Sequence, residues 1–295
     1  MRILFTIPHF FDSEAKIAKG AKHGSQKEKA EKRLRGLVRQ VLSLHQIFGH
    51  SVCMLHIASR TAIPAGQAMQ CNIHAAMLTT GKKHLLHRLP LCKTLYEHIE
   101  TDADPLFLGY ECHRLMQERL GQYDYYCYLE DDLIINDPLF FAKLHWFTKN
   151  TGNICVLLPH RYENTARGPY SKVYIDGDLR PDITSEYQNV RQQPAIKAEI
   201  MGMPLIFSRT LNPHSGCFFL NQAQMEHFAA RPWFMDRSAR FIGPLESAAS
   251  LGIMRTFKVY KPAREYAQFL EIMHAGTAFA GLIGGKIRIA QKQDS

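Results

Sequence analysis

The sequence predicts an α/β sandwich with a mostly parallel central sheet, and three observations carry that prediction. Short apolar runs of strand character recur at residues 3–7, 73–78, 125–129, 154–158 and 216–220. Between them lie stretches with apolar residues at helical spacing, several opened by cap signals such as Asp104-Pro105, Asp137-Pro138 and Asn221. No repeat, low-complexity segment or linker breaks the alternation, so residues 1–295 are expected to form one domain.

In chain order, residues 3–7 form a central strand stopped by Pro8, with His9, Phe10 and Phe11 opening a loop behind it. From Lys16 to Lys32 the chain is polar and basic, either a mobile lid or a helical lead-in, and a solvated charged face is the simpler reading. Leu34, Leu37, Val38, Val41, Leu44 and Phe48 then recur at helical spacing until Gly49. Residues 53–57 are a weak strand and 73–78 a better one, whereas 82–103 form a polar connection carrying His84, His87 and His98 without metal-ligand spacing. A helix opened by Asp104-Pro105 ends at Gly121, and a Phe-rich helix opened by Asp137-Pro138 ends near Gly152. Residues 154–158 are a buried strand that brings His160, Arg161, Tyr162 and Glu163 to the rim. Residues 172–180 resemble a hairpin turned at Asp176-Gly177, and 188–197 lie outside the core. Further strands fall at 205–207 and 216–220, and Asn221 caps the helix from Gln222 to Ala230.

Composition is that of an ordinary globular chain, 46% hydrophobic and 21% charged. The net charge of +9 suits phosphate groups, nucleic acid or an anionic membrane surface without choosing among them. Seven scattered cysteines, with no Cys-x-x-Cys pair, predict buried free thiols in a reducing compartment. Pro8 interrupts the first apolar run too early for a signal peptide, and no run reaches the roughly 18 apolar residues of a membrane span. A cytoplasmic location is expected, with peripheral association with an anionic membrane open.

The informative stretch is residues 125–138, Tyr-Tyr-Cys-Tyr-Leu-Glu-Asp-Asp-Leu-Ile-Ile-Asn-Asp-Pro, in which an apolar strand runs into three consecutive carboxylates. Glu130, Asp131 and Asp132 repel one another and lose hydration there, costing several kcal/mol unless cations or donors compensate. Oxygen ligands at a strand end favour a hard ion, Mg2+ or Mn2+, that leaves coordination positions for water or phosphate. A solvated acidic turn is the plainer alternative. In a parallel sheet, ligands sit beyond the carboxyl ends of the strands, where Pro8-His9, the three acids and His160-Arg161 would converge.

Three motifs resemble the nucleotide-sugar-dependent glycosyltransferases of the GT-A fold, and in their order the exostosin-like branch. They are Tyr-Leu-Glu-Asp-Asp-Leu-Ile-Ile-Asn-Asp-Pro at 128–138, followed by the strand Ile-Cys-Val-Leu-Leu-Pro-His-Arg; His-Ser-Gly-Cys-Phe-Phe-Leu-Asn at 214–221; and Gly-Pro-Leu-Glu-Ser-Ala-Ala at 243–249. The resemblance covers roughly residues 120–262 and implies a GT-A-like (Rossmann-like) α/β/α sandwich, with a nucleotide-binding half at 1–137 and a sugar- and acceptor-binding half at 138–295. It implies Asp132 as principal metal ligand, with Asp131 and Glu130 flanking it toward ribose or metal-bound water, and Pro8 and Arg161 beside the nucleotide. His274 resembles the late histidine that completes the metal or diphosphate site, although a lone histidine is more often a structural residue. Glu246 corresponds to the acid that faces the sugar, as general base or electrostatic stabiliser, or it simply complements a helix dipole. Arg237, Arg240 and Lys261 are further candidates for phosphate or acceptor contacts.

The implied activity is divalent-metal-dependent transfer of a sugar from a nucleoside diphosphate donor, UDP-sugar first, to a hydroxyl on a glycan, lipid-linked or small-molecule acceptor. A metal-dependent nucleotidyl transferase or phosphoester hydrolase would use the same acids, but would want a second acidic cluster or a Walker-type loop. The glycine-rich segment at 275–286 lacks that spacing. A non-enzymatic basic module is the third alternative. Nucleic acid is not expected as a partner, because the basic residues are spread along the chain. The sequence leaves the oligomeric state open.

Overall fold

The computed structural model describes residues 1–12, 30–50, 52–166 and 168–289, so the basic segment from Lys16 to Lys29 lies outside the described residues. The chain forms β1 (Arg2–Pro8), α1 (Ala30–Phe48), β2 (Cys53–His56), β3 (Thr61–Pro64), β4 (Asn72–Thr80), β5 (Glu97–Thr101) and α2 (Leu108–Glu118). It continues through β6 (Tyr125–Leu129), β7 (Leu133–Ile134), α3 (Phe140–Thr151), β8 (Cys155–Leu157), β9 (His160–Asn164) and β10 (Lys172–Tyr174). The last elements are β11 (Ala195–Ile200), β12 (Met203–Arg209), β13 (Cys217–Asn221), α4 (Gln222–Ala229), α5 (Pro244–Thr256), β14 (Lys258–Pro262) and β15 (Glu271–His274).

The central sheet has the order β13-β6-β1-β4-β5. β6, β1, β4 and β5 run parallel, and only β13 is reversed. Side chains of a strand alternate between faces, so each central strand feeds two cores. Ile3, Phe5, Ile7, Tyr125, Cys127 and Leu129 pack on one face against Leu37, Val41 and Leu44 of α1 and Phe140, Phe141 and Phe147 of α3. Leu4, Ala76, Leu78, Tyr126 and Tyr128 pack on the other against α2, α4 and α5. The result is an α/β/α sandwich whose central strands are largely apolar because both faces are covered.

Two four-stranded sheets, β10-β9-β15-β7 and β11-β12-β14-β8, extend from the second half of the chain. β13 pairs with β6, and β15 pairs with β7 directly after the acidic turn. Asn221 closes a full capping box with Gln224 at the start of α4, and Asp104 caps the 3-10 turn that leads into α2; Asp137 accepts the Leu139 N–H just ahead of α3, whose own N-cap position, Leu139, carries no side-chain cap.

Four local expectations change. Residues 172–180 do not fold as a hairpin. Instead β10 returns onto β9, with Tyr174 opposite Tyr162, and Asp176 turns inward to a buried arginine. That charge pairing outweighs the turn preference of Asp-Gly. Residues 82–103 contain the edge strand β5, which sequence pattern misses because a half-buried Glu-His-Ile-Glu-Thr edge has no apolar run. β11 starts inside the stretch expected to lie outside the core, again as a half-buried edge. Residues 53–56 form a strand, but it pairs only with β3, in an exposed ribbon outside the main sheet. No disulfide joins the seven cysteines; five are buried, whereas Cys53 and Cys92 are exposed.

His113, on α2, is enclosed by the rings of Tyr110, Tyr128, Phe218, Phe228 and Phe234, with centroids 5.4 to 5.9 Å away. Burial disfavours the imidazolium and pushes its pKa down from 6.5 to about 4. Below pH 6.5 the unfolded chain therefore binds a proton that the native state refuses. This contribution is whole above pH 6.5 and declines as the pH falls toward 4, by at most about 3 kcal/mol. Urea denaturation of wild type and His113→Leu between pH 7.5 and 4 should show a shallower acid decline in the variant, whatever its stability at neutral pH.

Candidate active site

β6 ends at Leu129 at the carboxyl edge of the sheet, and the next three residues are the acids. Their backbone is fixed before their side chains are. The Glu130 N–H donates to the Gly216 carbonyl, and the Leu133 N–H closes the turn onto the Glu130 carbonyl. Gln40, fully buried on α1, donates through Nε2 to the carbonyls of Glu130 (2.7 Å) and Leu133 (2.9 Å). The Asp132 carbonyl accepts from the Ala275 N–H, which ties the turn to the end of β15. On such a turn, successive side chains leave in different directions, and each acid meets its own partner.

Asp131 is held by two groups. His9 Nδ1 and Arg33 Nη2 each lie 2.5 Å from its Oδ2. His9 Nε2 accepts the Leu85 N–H at 3.0 Å, so the neutral ring carries its proton on Nδ1 and donates it to Asp131. Pro8 itself makes no polar contact with the acids. It ends β1, and the next residue reaches Asp131.

Asp132 faces the other way. Its Oδ2 lies 3.2 Å from His274 Nε2, while its Oδ1 is buried with no hydrogen-bond partner among the described residues. Burial would raise the Asp132 pKa, but the hydrogen bond and charge of His274, aided by Arg33 and Arg161, outweigh it and hold it near 2. His274 Nδ1 lies 2.8 Å from Glu163 Oε1, and the other Glu163 oxygen accepts the N–H groups of Phe279 (3.0 Å) and Ala280 (2.8 Å). Glu163 is completely buried. Since the carboxylate only accepts, it keeps the proton on Nδ1 and aims Nε2 at Asp132.

Glu130 turns toward Arg161 and Gly216. Burial pushes its pKa up to about 8; Arg161, 3.7 Å away, opposes that rise, and the charges of Asp132, Glu246 and Asp131 add to it. Arg161 is itself anchored: Asp176 Oδ1 accepts from its Nε (3.0 Å) and Nη2 (2.8 Å), and Oδ2 accepts its backbone N–H (3.1 Å). Lys261 completes this knot with its Nζ 3.4 Å from Asp176 and 2.8 Å from the His214 carbonyl. Lys261 is 2% exposed and its ammonium neutralises the buried Asp176.

Glu246 lies in the first turn of α5, half-buried. Its carboxylate has no ion-pair partner among the described residues, and its charge reaches Glu130. Arg237 pairs with Glu111 of α2 at 2.9 Å, and Arg240 lines a different pocket beside Asp236 and Arg255, so neither joins the acids. His84, spaced unremarkably in sequence, meets His98 at 4.7 Å and His87 at 5.7 Å between ring centroids, and desolvation with these neighbours pushes its pKa down to about 4.

Lys32, Arg33, Asp131, Asp132 and His274 line a pocket of about 120 Å3. It offers one carboxylate oxygen, one imidazole nitrogen and two cations. No group of three or more His, Cys, Asp or Glu side chains among the described residues could hold a metal ion alone. The pair Asp132 and His274 nevertheless fits an ion that takes one or two protein ligands and fills the remainder from phosphate and water, and the unpartnered Oδ1 is the atom such an ion would satisfy.

No protein-family model matches the chain, and no curated protein matches it either. Among solved structures, a CMP-2-keto-3-deoxy-manno-octonic acid synthetase in complex with CTP shares 11% identity at a TM-score of 0.35, over 88% of this chain and 90% of that one. Staphylococcus aureus TarS shares 10% at 0.43, over 88% of this chain and 35% of that one. A Bacillus anthracis protein assigned as a glucose-1-phosphate thymidylyltransferase shares 10% at 0.37, over 88% and 86%. At such scores the likeness carries no assignment of activity, and the exostosin-like resemblance rests on the sequence motifs alone. No helix among the described residues is long and apolar enough to cross a membrane.

Gly216 has φ +61°, and a Cβ there would overlap Glu130 Oε2 and sit 3.0 Å from Leu133 Cδ1. Gly216→Ala should therefore lose about 1–3 kcal/mol in chemical denaturation. Adding Glu130→Ala should recover part of that loss, because the clash is removed while the backbone strain stays. Full additivity of the two changes would show that the contact is not the cause.

Proposed function

We propose that the chain transfers a sugar from a nucleoside diphosphate donor, with UDP-sugar the first candidate, to a hydroxyl of a glycan, lipid-linked or small-molecule acceptor. A divalent cation, Mn2+ or Mg2+, would be held by Asp132 and His274. The observation that carries this reading is the pairing of those two side chains at 3.2 Å with a buried, unpartnered Asp132 oxygen, at the carboxyl edge of a parallel sheet. When bound, the cation would offset the charge that builds on the departing diphosphate.

The remaining work falls to the chain's own groups. Asp131, clamped by His9 and Arg33, is a poor metal ligand. It serves better to hold Arg33 at the pocket, where the guanidinium and Lys32 would contact phosphate oxygens. Glu130, whose side chain fits because residue 216 is a glycine, and Arg161 would face the sugar. Glu246, without an ion-pair partner among the described residues, would take the acceptor proton or stabilise charge at the reacting carbon. In this reading residues 1–137 supply most of the nucleotide site and residues 138–295 most of the sugar and acceptor site, with His274 reaching back to the cation and Glu130 forward to the sugar.

Nucleotidyl transfer is the competing enzyme reading. Incubation with a nucleoside triphosphate and a sugar 1-phosphate separates the two, since only a nucleotidyl transferase releases pyrophosphate.

A thermal-shift series with UDP, GDP and CMP, with and without Mn2+, tests the proposal. One nucleotide should raise the melting temperature only with metal, and Asp132→Asn should abolish that gain. A shift that needs no metal and survives in Asp132→Asn would overturn the assignment.

Glu163 gives a separate prediction. Glu163→Gln keeps the shape but weakens the grip on His274 Nδ1, and Mn2+ affinity measured by the paramagnetic resonance of free ion should fall about tenfold. Nucleotide affinity without metal should not move.

A further inference from the structure

The ribbon formed by β2 and β3 takes no part in the candidate site or in the main sheets. It leaves the chain between the end of α1 and the start of β4, at the amino edge of the central sheet, opposite the acids. Its base is closed by the Ala65 N–H on the Val52 carbonyl and the Cys71 N–H on the Phe48 carbonyl. Beyond that base the two strands pair only with each other, and every residue from 53 to 64 is exposed.

Large apolar side chains are concentrated there. Met54, Leu55, Ile57 and Ile63 are 43 to 78% exposed. Single exposed apolar residues are ordinary, but four on one short ribbon are not. The register sets Met54 beside Ile63 on one face and Leu55 beside Ala62 on the other, with Ile57 opening the turn. Both faces and both edges are therefore bare. A second copy, or another folded partner, would cover one face or one edge and leave the rest in water, whereas a surrounding medium covers all of it.

The polar groups of the turn are already satisfied. His56 Nδ1 lies 2.6 Å from Ser59 Oγ, which lies 2.7 Å from Thr61 Oγ1, and the Arg60 N–H donates to the Ile57 carbonyl at 3.2 Å. Dipping this end into an apolar layer leaves few hydrogen-bonding groups without partners. The outer backbone groups of the strands are unpaired, which stops the ribbon at the boundary between lipid headgroups and acyl chains.

Charge selects the kind of layer. From residue 32 to residue 96 the chain carries nine lysines and arginines and no aspartate or glutamate, a charge equal to the whole net charge of +9. The ribbon's one formal charge is Arg60, exposed in the turn. Lys93 is exposed on the turn at 93–95, whose Leu95 carbonyl meets His45 in the last turn of α1, just ahead of the ribbon. An apolar tip carrying a lone arginine, on an acid-free segment, matches anionic headgroups and would meet like charge on a second copy.

We propose that the β2–β3 ribbon is a docking element for an anionic lipid bilayer, with Met54, Leu55, Ile57 and Ile63 at the acyl boundary and Arg60 among the headgroup phosphates. Bound in this way, the chain presents its amino edge to the membrane and keeps the acids, at the opposite edge, open to solution. The inference rests on the ribbon and not on the proposed sugar transfer.

The test is cosedimentation of the full chain with vesicles of phosphatidylcholine alone and of equal parts phosphatidylcholine and phosphatidylglycerol. Arg60→Glu and the double variant Leu55→Ser with Ile57→Ser change exposed side chains, so both should melt at the wild-type temperature. Wild type should bind the anionic vesicles and not the neutral ones. The double variant should bind at least about tenfold more weakly, and Arg60→Glu about tenfold more weakly. In Cys92→Ser, Cys53 is the one exposed thiol among the described residues, and an environment-sensitive fluorophore placed on it should shift to the blue with anionic vesicles. Absence of wild-type binding overturns the proposal. Undiminished binding of the double variant also overturns it, because overall charge would then suffice. Self-association in sedimentation equilibrium that the double variant abolishes, without vesicle binding, would overturn it in favour of a second copy.

Discussion

Three consecutive carboxylates at the buried end of a central strand are the constraint on which the surrounding structure depends. Neighbouring negative charges in a poorly solvated place are tolerable only if each is compensated separately. The turn at 130–132 achieves this by direction: Glu130 toward Arg161, Asp131 toward His9 and Arg33, Asp132 toward His274. Those partners come from the residue that follows β1, from α1, β9 and β15, so the compensation draws together segments from both ends of the chain. The cations then need their own surroundings, which is why Asp176 and Lys261 are buried behind Arg161 and Glu163 behind His274.

The same constraint ties the two halves of the chain into one body. β13 completes the central sheet beside β6, and its preceding glycine accepts the Glu130 N–H. β15 pairs with β7 immediately after the acids, and the Ala275 N–H donates to Asp132. Late segments are thus held to the turn by backbone bonds, which survive changes of side chain. A late histidine can be brought within hydrogen-bonding reach of Asp132 because the strand that carries it is registered against the strand that follows Asp132.

The central strands and helices were legible in the sequence because burial on both faces leaves largely apolar runs, and because Asp104 and Asn221 carry their caps within three residues. Edge strands were not, since β5 and β11 bury only alternate residues and carry charges on the rest. In the site, the acids and the convergence of His9 and Arg161 near them followed from strand ends. Arg33 and Gln40 did not: an arginine and a glutamine on an amphipathic helix look like solvated residues until that helix is docked over the turn. Asp176 was hidden by its own neighbour, because Asp-Gly signals a turn more strongly than it signals an inward charge.

What distinguishes Asp132 from its neighbours is the balance of donors and acceptors around it. Asp131 receives two donors on a single oxygen, and Glu130 is so poorly solvated that its proton is held more tightly than usual despite Arg161. Asp132 alone combines a strongly acidic carboxylate with an oxygen that has no partner among the described residues. His274 cannot satisfy that oxygen as well, because Glu163 fixes its ring and directs its one remaining nitrogen at the other. A buried acceptor left open beside an oriented imidazole costs about 1–3 kcal/mol. Because Gln40, Ala275 and Glu163 hold the turn and the ring in place, relaxation of the turn cannot readily recover that cost, whereas a cation shared by Asp132 and His274 would.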